Sequence, residues 1–250
     1  RDKVADHSAD ACRGDAVITM LSNDDAVESA VYGDGGVLAS LPKGAIHVSS
    51  STISVALSKR LAEQHAARGQ RYVAAPVFGR PEAAAAAKLF IVAAGSPEAV
   101  KTAMPVFDAI GQRTFTVSED APAANIIKLS GNFLIASVIE SLGEAMALVG
   151  KAGIDKHQYL ELLTSTLFGA PIYKTYGTLI ADEKFSPPGF AAPLGLKDVR
   201  LTLAAGDDLR VPLPLASLLR DRYLTLLANG GDNLDWSAIG GLPAKDAGSK

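Results

Sequence analysis

The sequence predicts an α/β domain built on a parallel sheet, followed by an all-α domain, and two observations predict it. From residue 16 to about 118, short β-branched runs alternate with helical segments, the pattern of a parallel sheet covered by helices. From about Ala121 onward the pattern is helical only, and it opens on a segment too apolar to lie on a surface.

Strands are expected at Val17 to Leu21, Ile46 to Ser50, Tyr72 to Val77, Leu89 to Ala94 and Thr114 to Val117. Helices fall between them at Asp24 to Val31, Ser54 to Ala67 and Pro97 to Ile110. Ser54 and Ser96 are placed as N-caps because a serine oxygen accepts from an otherwise orphaned N–H of the first turn, and Pro97 suits the first helical position, where no N–H is required. The cluster Gly33 to Gly36 follows a helix and is read as a surface turn. The long segment Pro122 to Lys151 carries apolar residues on every side, so it is expected to be buried on most of them. Small residues along it (Ser130, Gly131, Ala136, Ser137, Ser141, Gly143) admit close neighbours, and Gly153 supplies the stop. Amphipathic helices follow at Asp155 to Leu167, Ala170 to Ala181, Lys197 to Ala205 and Pro214 to Ala228. A helix this apolar is more than one small domain covers, so a homodimer sharing it is expected.

Composition excludes several classes. A net charge of −3 without any Lys/Arg run gives no footprint for nucleic acid or an anionic membrane surface. No apolar stretch reaches the roughly twenty charge-free residues of a bilayer span, and the first residues lack a signal-peptide core, so a cytoplasmic location is expected. Cys12 stands alone, and His7, His47, His65 and His157 show no ligand spacing, so no metal site is expected.

One charged residue interrupts the apolar run between Asp120 and Glu140: Lys128. Asn132, four residues on, falls on the same helical face, so an amine and an amide project together. A lysine that snorkels from a buried helix to solvent explains the same pattern, and the residues alone leave both readings open.

The stretch KLSGNFL resembles the Lys-x-x-x-Asn catalytic helix of the β-hydroxyacid dehydrogenase family. ITMLSNDDAV is similar to that family's strand and loop beside the cofactor, SSSTIS to its Asp-x-Ser-Thr substrate strand, and APVFGRPEAAAAAKLFIVAAG to its Pro-Val-Ser-Gly-Gly segment. PGFAAPLGLKDVRLTLAAGDDLRVPLP resembles its C-terminal Phe and Lys-Asp helix, and the motifs run in order from about Asp15 to Trp236. The resemblance implies a Rossmann-type nucleotide-binding domain (1–118, partial) and an all-helical substrate and dimerisation domain (119–250). It implies NADP or NAD as cofactor, and a hydride passed to or from a small β-hydroxy acid or its oxo or semialdehyde form.

By the same resemblance Lys128 is the general acid/base and Asn132 its partner. Leu21, Ser22, Thr52 and Lys197 are implied against the cofactor, and Ser51, Phe78, Gly79, Arg80, Phe190 and Asp198 against the substrate. RDK is similar to the residues just after the family's second strand, which would place Arg1 near the adenosine 2′ position and the first strand, Gly-rich turn, first helix and second strand before it. RDKVAD then runs into HSADACRGD about ten residues too soon by the family's pattern, implying a disordered stretch around Asp6 and His7. The family's Ser-Gly-Gly is Phe78-Gly79-Arg80 here: the hydroxyl is gone, and Arg80 offers a fork that suits a carboxylate. Imine reduction is therefore the second reading, with Lys128 arguing for carbonyl chemistry, and a non-catalytic dimeric dinucleotide-binding protein is the third.

Overall fold

The structure, a computed structural model, describes residues 4–248; Arg1 and its implied place beside the adenosine lie outside them. Two compact units meet at Leu129 and Ser130, inside the long helix. The reason is packing: Ala121 and Ala124 belong to a core of the first unit, whereas Ala136, Ile139, Leu142 and Met146 belong to the core of the second.

The first unit runs α1 (Ser8–Ala11), β1 (Ala16–Thr19), α2 (Asp24–Tyr32), α3 (Val37–Ser40), β2 (Ile46–Ser49), α4 (Val55–Ala67), β3 (Arg71–Ala74), β4 (Val77–Phe78), α5 (Pro81–Ala85), β5 (Leu89–Ala94), α6 (Pro97–Ile110) and β6 (Gly111–Ser118). The chain passes through Asp6 and His7 into α1, with His7 as N-cap. Strands β1, β2 and β3 are parallel and level, so Thr19, Ser49 and Ala74 form one row at their carboxyl ends. β5 and β6 are also parallel. The run Tyr72 to Val77 is not one strand: it stops at Ala74, and Val77–Phe78 returns antiparallel to β5. Pro76, with no N–H for a ladder, stands at the break.

Alternation along the strands divides the side chains between two cores. Val73, Ala75, Ile91 and Ala93 join Val100, Ala103 and Phe107 of α6, while Tyr72, Ala74, Val92 and Ala94 join Leu57 and Leu61 of α4 and Val27 and Val31 of α2. The serine caps form as their chemistry requires: Ser54 Oγ accepts from Leu57 N–H at 3.0 Å and Ser96 Oγ from Ala99 N–H at 3.3 Å.

The second unit begins within α7 (Pro122–Lys151) and continues through α8 (Lys156–Thr164), α9 (Pro171–Ala181), α10 (Ala192–Leu209), α11 (Pro214–Ala228) and α12 (Leu242–Asp246). Two expected helices shift. α8 starts after Asp155, whose carboxylate caps it, and ends at Thr164, where Thr164 and Thr166 hydroxyls donate back to the Leu160 and Leu162 carbonyls. α10 starts at Ala192, not Lys197, because Pro193 fits a first turn. Lys197 and Asp198 therefore sit in its second turn. The sequence assigned nothing beyond Ala228, yet Trp236–Gly241 forms a buried 3-10 segment. It docks backbone to backbone on α7: a Cβ at Gly143 would lie 2.3 Å from the Gly240 carbonyl oxygen.

α7 is covered on most of its sides and leaves one face open. Ile127, Leu134 and Leu148 are 40%, 59% and 73% exposed and fall on one heptad-spaced stripe, because the two cores cover only the faces they pack against. By length and composition α7 is long and apolar enough to cross a membrane, although Lys128 and Glu140 interrupt its apolar run.

Candidate functional site

The carboxyl ends of β1 and β2 are tied to each other by side chains. Ser51 Oγ accepts from Leu21 N–H at 2.8 Å and lies 3.4 Å from the Thr19 carbonyl oxygen, to which it donates. Asp24, in the first turn of α2, accepts from Ser54 N–H at 2.9 Å, and Asn23 caps the same helix through Ala26 N–H. Ser51 is fully buried, so it supports this rim from beneath rather than lining it. Thr52 is half-buried, and Leu21 and Ser22 are exposed just past the strand. Met20 and Leu21, at 65% and 37% exposure, leave an apolar surface uncovered at the edge where α/β sheets take their ligands.

Phe78 and Lys128 meet. The Lys128 ammonium lies 4.3 Å from the centre of the Phe78 ring, and the residue is only 9% exposed, so this lysine does not snorkel into solvent. An ammonium over an aromatic face is held by the ring quadrupole, and the hold strengthens as water is excluded. β4 sets the ring in place through its pairing with β5, Phe78 opposite Phe90. Gly79 follows with φ +147°, and a Cβ there would sit 2.7 Å from Leu89 Cδ2, so only glycine turns the chain at this point. Arg80 becomes the N-cap residue of α5 without a side-chain cap bond.

The second unit, taken by itself, holds its own cluster. Asn132, one helical turn beyond Lys128 on α7, donates from Nδ2 to Asp198 Oδ2 at 2.5 Å. Asp198 is 1% exposed, and the Lys197 ammonium lies 3.0 Å from its other oxygen. A carboxylate taken out of water needs such partners, and here a cation and an amide share it. Lys197 therefore points its charge at its own neighbour. Phe190 stacks edge-on against Trp236, centroids 5.0 Å apart.

Sequence reasoning missed the anchor of that last residue. Asp235, 1% exposed, accepts from Gly189 N–H at 2.9 Å and Phe190 N–H at 3.1 Å, and its other oxygen accepts from Ser237 Oγ at 2.6 Å. Asp235 joins the segment before α10 to the buried 3-10 turn. An acid beside a lone tryptophan was the available signal, but nothing in the linear sequence brings residue 235 to residue 190.

Two family models match the chain: the NAD binding domain of 6-phosphogluconate dehydrogenase over residues 2–118, and the NAD-binding domain of NADP-dependent 3-hydroxyisobutyrate dehydrogenase over residues 123–242. The chain is 45% identical to the oxidoreductase YfjR of Bacillus subtilis (strain 168) over 225 residues, 90% of this chain and 78% of that protein. It is 29% identical to glyoxylate/succinic semialdehyde reductase 1 of Arabidopsis thaliana, over 95% of this chain and 84% of that one. The crystal structure of 3-hydroxyisobutyrate dehydrogenase from Salmonella typhimurium superposes with a TM-score of 0.85 at 26% identity, covering 94% of this chain and 82% of that one.

Proposed function

The chain belongs to the β-hydroxyacid dehydrogenase family of NAD(P)-dependent oxidoreductases, and from that premise we propose that it interconverts a small β-hydroxy acid and its oxo or semialdehyde form, with Lys128 as general acid and base. The observation that carries this reading is the nearly buried Lys128 ammonium set against the Phe78 ring.

The residues present fit the nicotinamide end of the cofactor. Met20 and Leu21 offer apolar surface to a planar ring at the sheet's carboxyl edge, with Ser22 and Thr52 beside them. The Gly-x-Gly-x-x-Gly turn that carries a pyrophosphate is not among the 250 residues. When bound, the dinucleotide supplies or accepts the hydride.

In the reductive direction Lys128 donates a proton from Nζ to the carbonyl oxygen as the new C–H bond forms; in the oxidative direction its neutral amine takes the hydroxyl proton. The Phe78 ring faces that nitrogen and attracts it through the ring quadrupole. Within the second unit, Asp198 holds Nδ2 of Asn132 and fixes the orientation of that amide. Phe78 gives the substrate an apolar wall where the family has a hydroxyl, and Arg80 and the Gly79 backbone stand next in the chain to receive a carboxylate. In the first unit Ser51 takes a supporting place through the strand rim, and in the second unit Phe190 and Lys197 are held by Trp236 and the Asp198 carboxylate.

A substrate panel tests the reading. With NADPH or NADH, glyoxylate or succinic semialdehyde is expected to drive oxidation of the reduced dinucleotide. Turnover confined to a cyclic imine at alkaline pH would move the protein to imine reduction. Tight dinucleotide binding with no turnover on any oxo acid, aldehyde or imine would sink the enzymatic reading.

The assembly we propose is a homodimer joined along α7, whose exposed Ile127, Leu134 and Leu148 suit a second copy. Light scattering at micromolar concentration is expected to give twice the monomer mass, and a monomer there removes the proposal.

A further inference from the structure

A buried polar chain beneath the sheet edge has no part in the proton transfer assigned to Lys128. His47 of β2 and His65 of α4, which sequence spacing treats as unrelated, are both fully buried and in contact, His47 Nδ1 to His65 Nε2 at 2.9 Å. His47 Nε2 lies 2.9 Å from Thr19 Oγ1, and His65 Nδ1 lies 2.7 Å from Gln70 Oε1. Tyr72 closes the cluster, stacked on His65 and edge-on to His47.

The direction of every bond in this chain follows from its far end. Gln70 Nε2 donates to the Leu41 carbonyl at 2.6 Å and the Leu38 carbonyl at 3.2 Å, so its Oε1 is the acceptor that faces His65. His65 must then carry its proton on Nδ1 and accept at Nε2. His47 in turn must carry its proton on Nδ1 and accept at Nε2. The Thr19 hydroxyl proton is thereby committed to His47, and its oxygen presents lone pairs only.

Both rings must be neutral for this to hold. Burial, and secondarily His65, lowers the pKa of His47 to about 3, and burial lowers that of His65, with Arg68 opposing its charge and the Gln70 bond favouring it. Tyr72, the other titratable group facing the pair, is pushed up to about 12 by burial and stays protonated.

At its near end the chain reaches the cofactor edge. Thr19 accepts at its carbonyl from Ser50 N–H at 2.9 Å and from Ser51 Oγ, and Ser51 Oγ receives Leu21 N–H. We propose that His47 and His65 are positioning residues for dinucleotide binding: through Thr19 and Ser51 they hold the turn that carries Leu21 and Ser22 in a single hydrogen-bonding state. The proposal rests on the family's dinucleotide chemistry and not on the role of Lys128.

Thr19→Val, which keeps the shape and removes the hydroxyl, is expected to raise the dissociation constant for NADH and NADPH about tenfold, while kcat at saturating dinucleotide holds. Thr19→Ser restores the hydroxyl and binds like the parent. In the parent protein, nitrogen-15 NMR at pH 7 is expected to show both imidazoles neutral and protonated on Nδ1. A structural role alone would lower thermal stability in Thr19→Val and leave affinity unchanged, and that result overturns the proposal. So does either imidazole found charged or protonated on Nε2 at pH 7, a measurement that decides even if Thr19→Val fails to fold. A parent protein that binds the dinucleotide yet turns over no oxo acid, aldehyde or imine would count against the role of Lys128 and not against this chain.

Discussion

Lys128→Met is expected to lower kcat by about a thousandfold, the scale of a lost general acid or base, while the dinucleotide dissociation constant stays close to that of the parent. Methionine keeps the length of the side chain and remains at home against the Phe78 ring, so the substitution removes the proton and little else. Steady-state rates on the best substrate of the panel, with a fluorescence titration of NADPH or NADH, separate the two quantities. A variant that turns over like the parent would show that the proton comes from elsewhere. A variant that loses both turnover and dinucleotide binding would show that Lys128 holds the fold of the sheet edge and is not the acid.

Acid is expected to destabilise the first unit through its buried histidines. The pKa of His47 is depressed in the fold, from 6.5 to about 3, so an unfolded chain takes a proton that the folded one refuses. The stability from the neutral ring is therefore fully present above pH 6.5 and falls as pH falls, until the folded pKa is reached. At about 1.4 kcal/mol per pH unit for one proton, His47 alone withdraws about 3 kcal/mol by pH 4. His65, lowered in the same direction, steepens the fall. Urea unfolding at several values between pH 7 and pH 4.5 measures the slope, and His47→Gln, which cannot titrate, is expected to flatten it. Parallel slopes for the two proteins would mean that the decline comes from carboxylates and not from this pair.

Much of this architecture was legible in the chain because its signals are local. Short β-branched runs marked β1, β2 and β5, and Ser54 and Ser96 announced their caps because a hydroxyl at that position has one obvious donor to satisfy. The Lys128 and Asn132 pair was legible because helical spacing puts them on one face. Other features were hidden because their partners are distant. The break at Pro76, the return of β4 and the turn at Gly79 depend on β5, ten or more residues on. His47 and His65 looked scattered because one is on a strand and the other on a helix.

By itself, the sequence determined the order of sheet and helical segments, the family, and the lone charge in an apolar helix, since periodicity, capping and motif order are properties of neighbouring residues. Only the tertiary structure decided that Phe78 covers the lysine, that Ser51 spends its hydroxyl joining two strands, and that Asp198 binds Asn132 and Lys197 together. Those outcomes depend on which long-range contacts satisfy a buried charge or hydroxyl, and burial is fixed by packing between elements far apart in the chain.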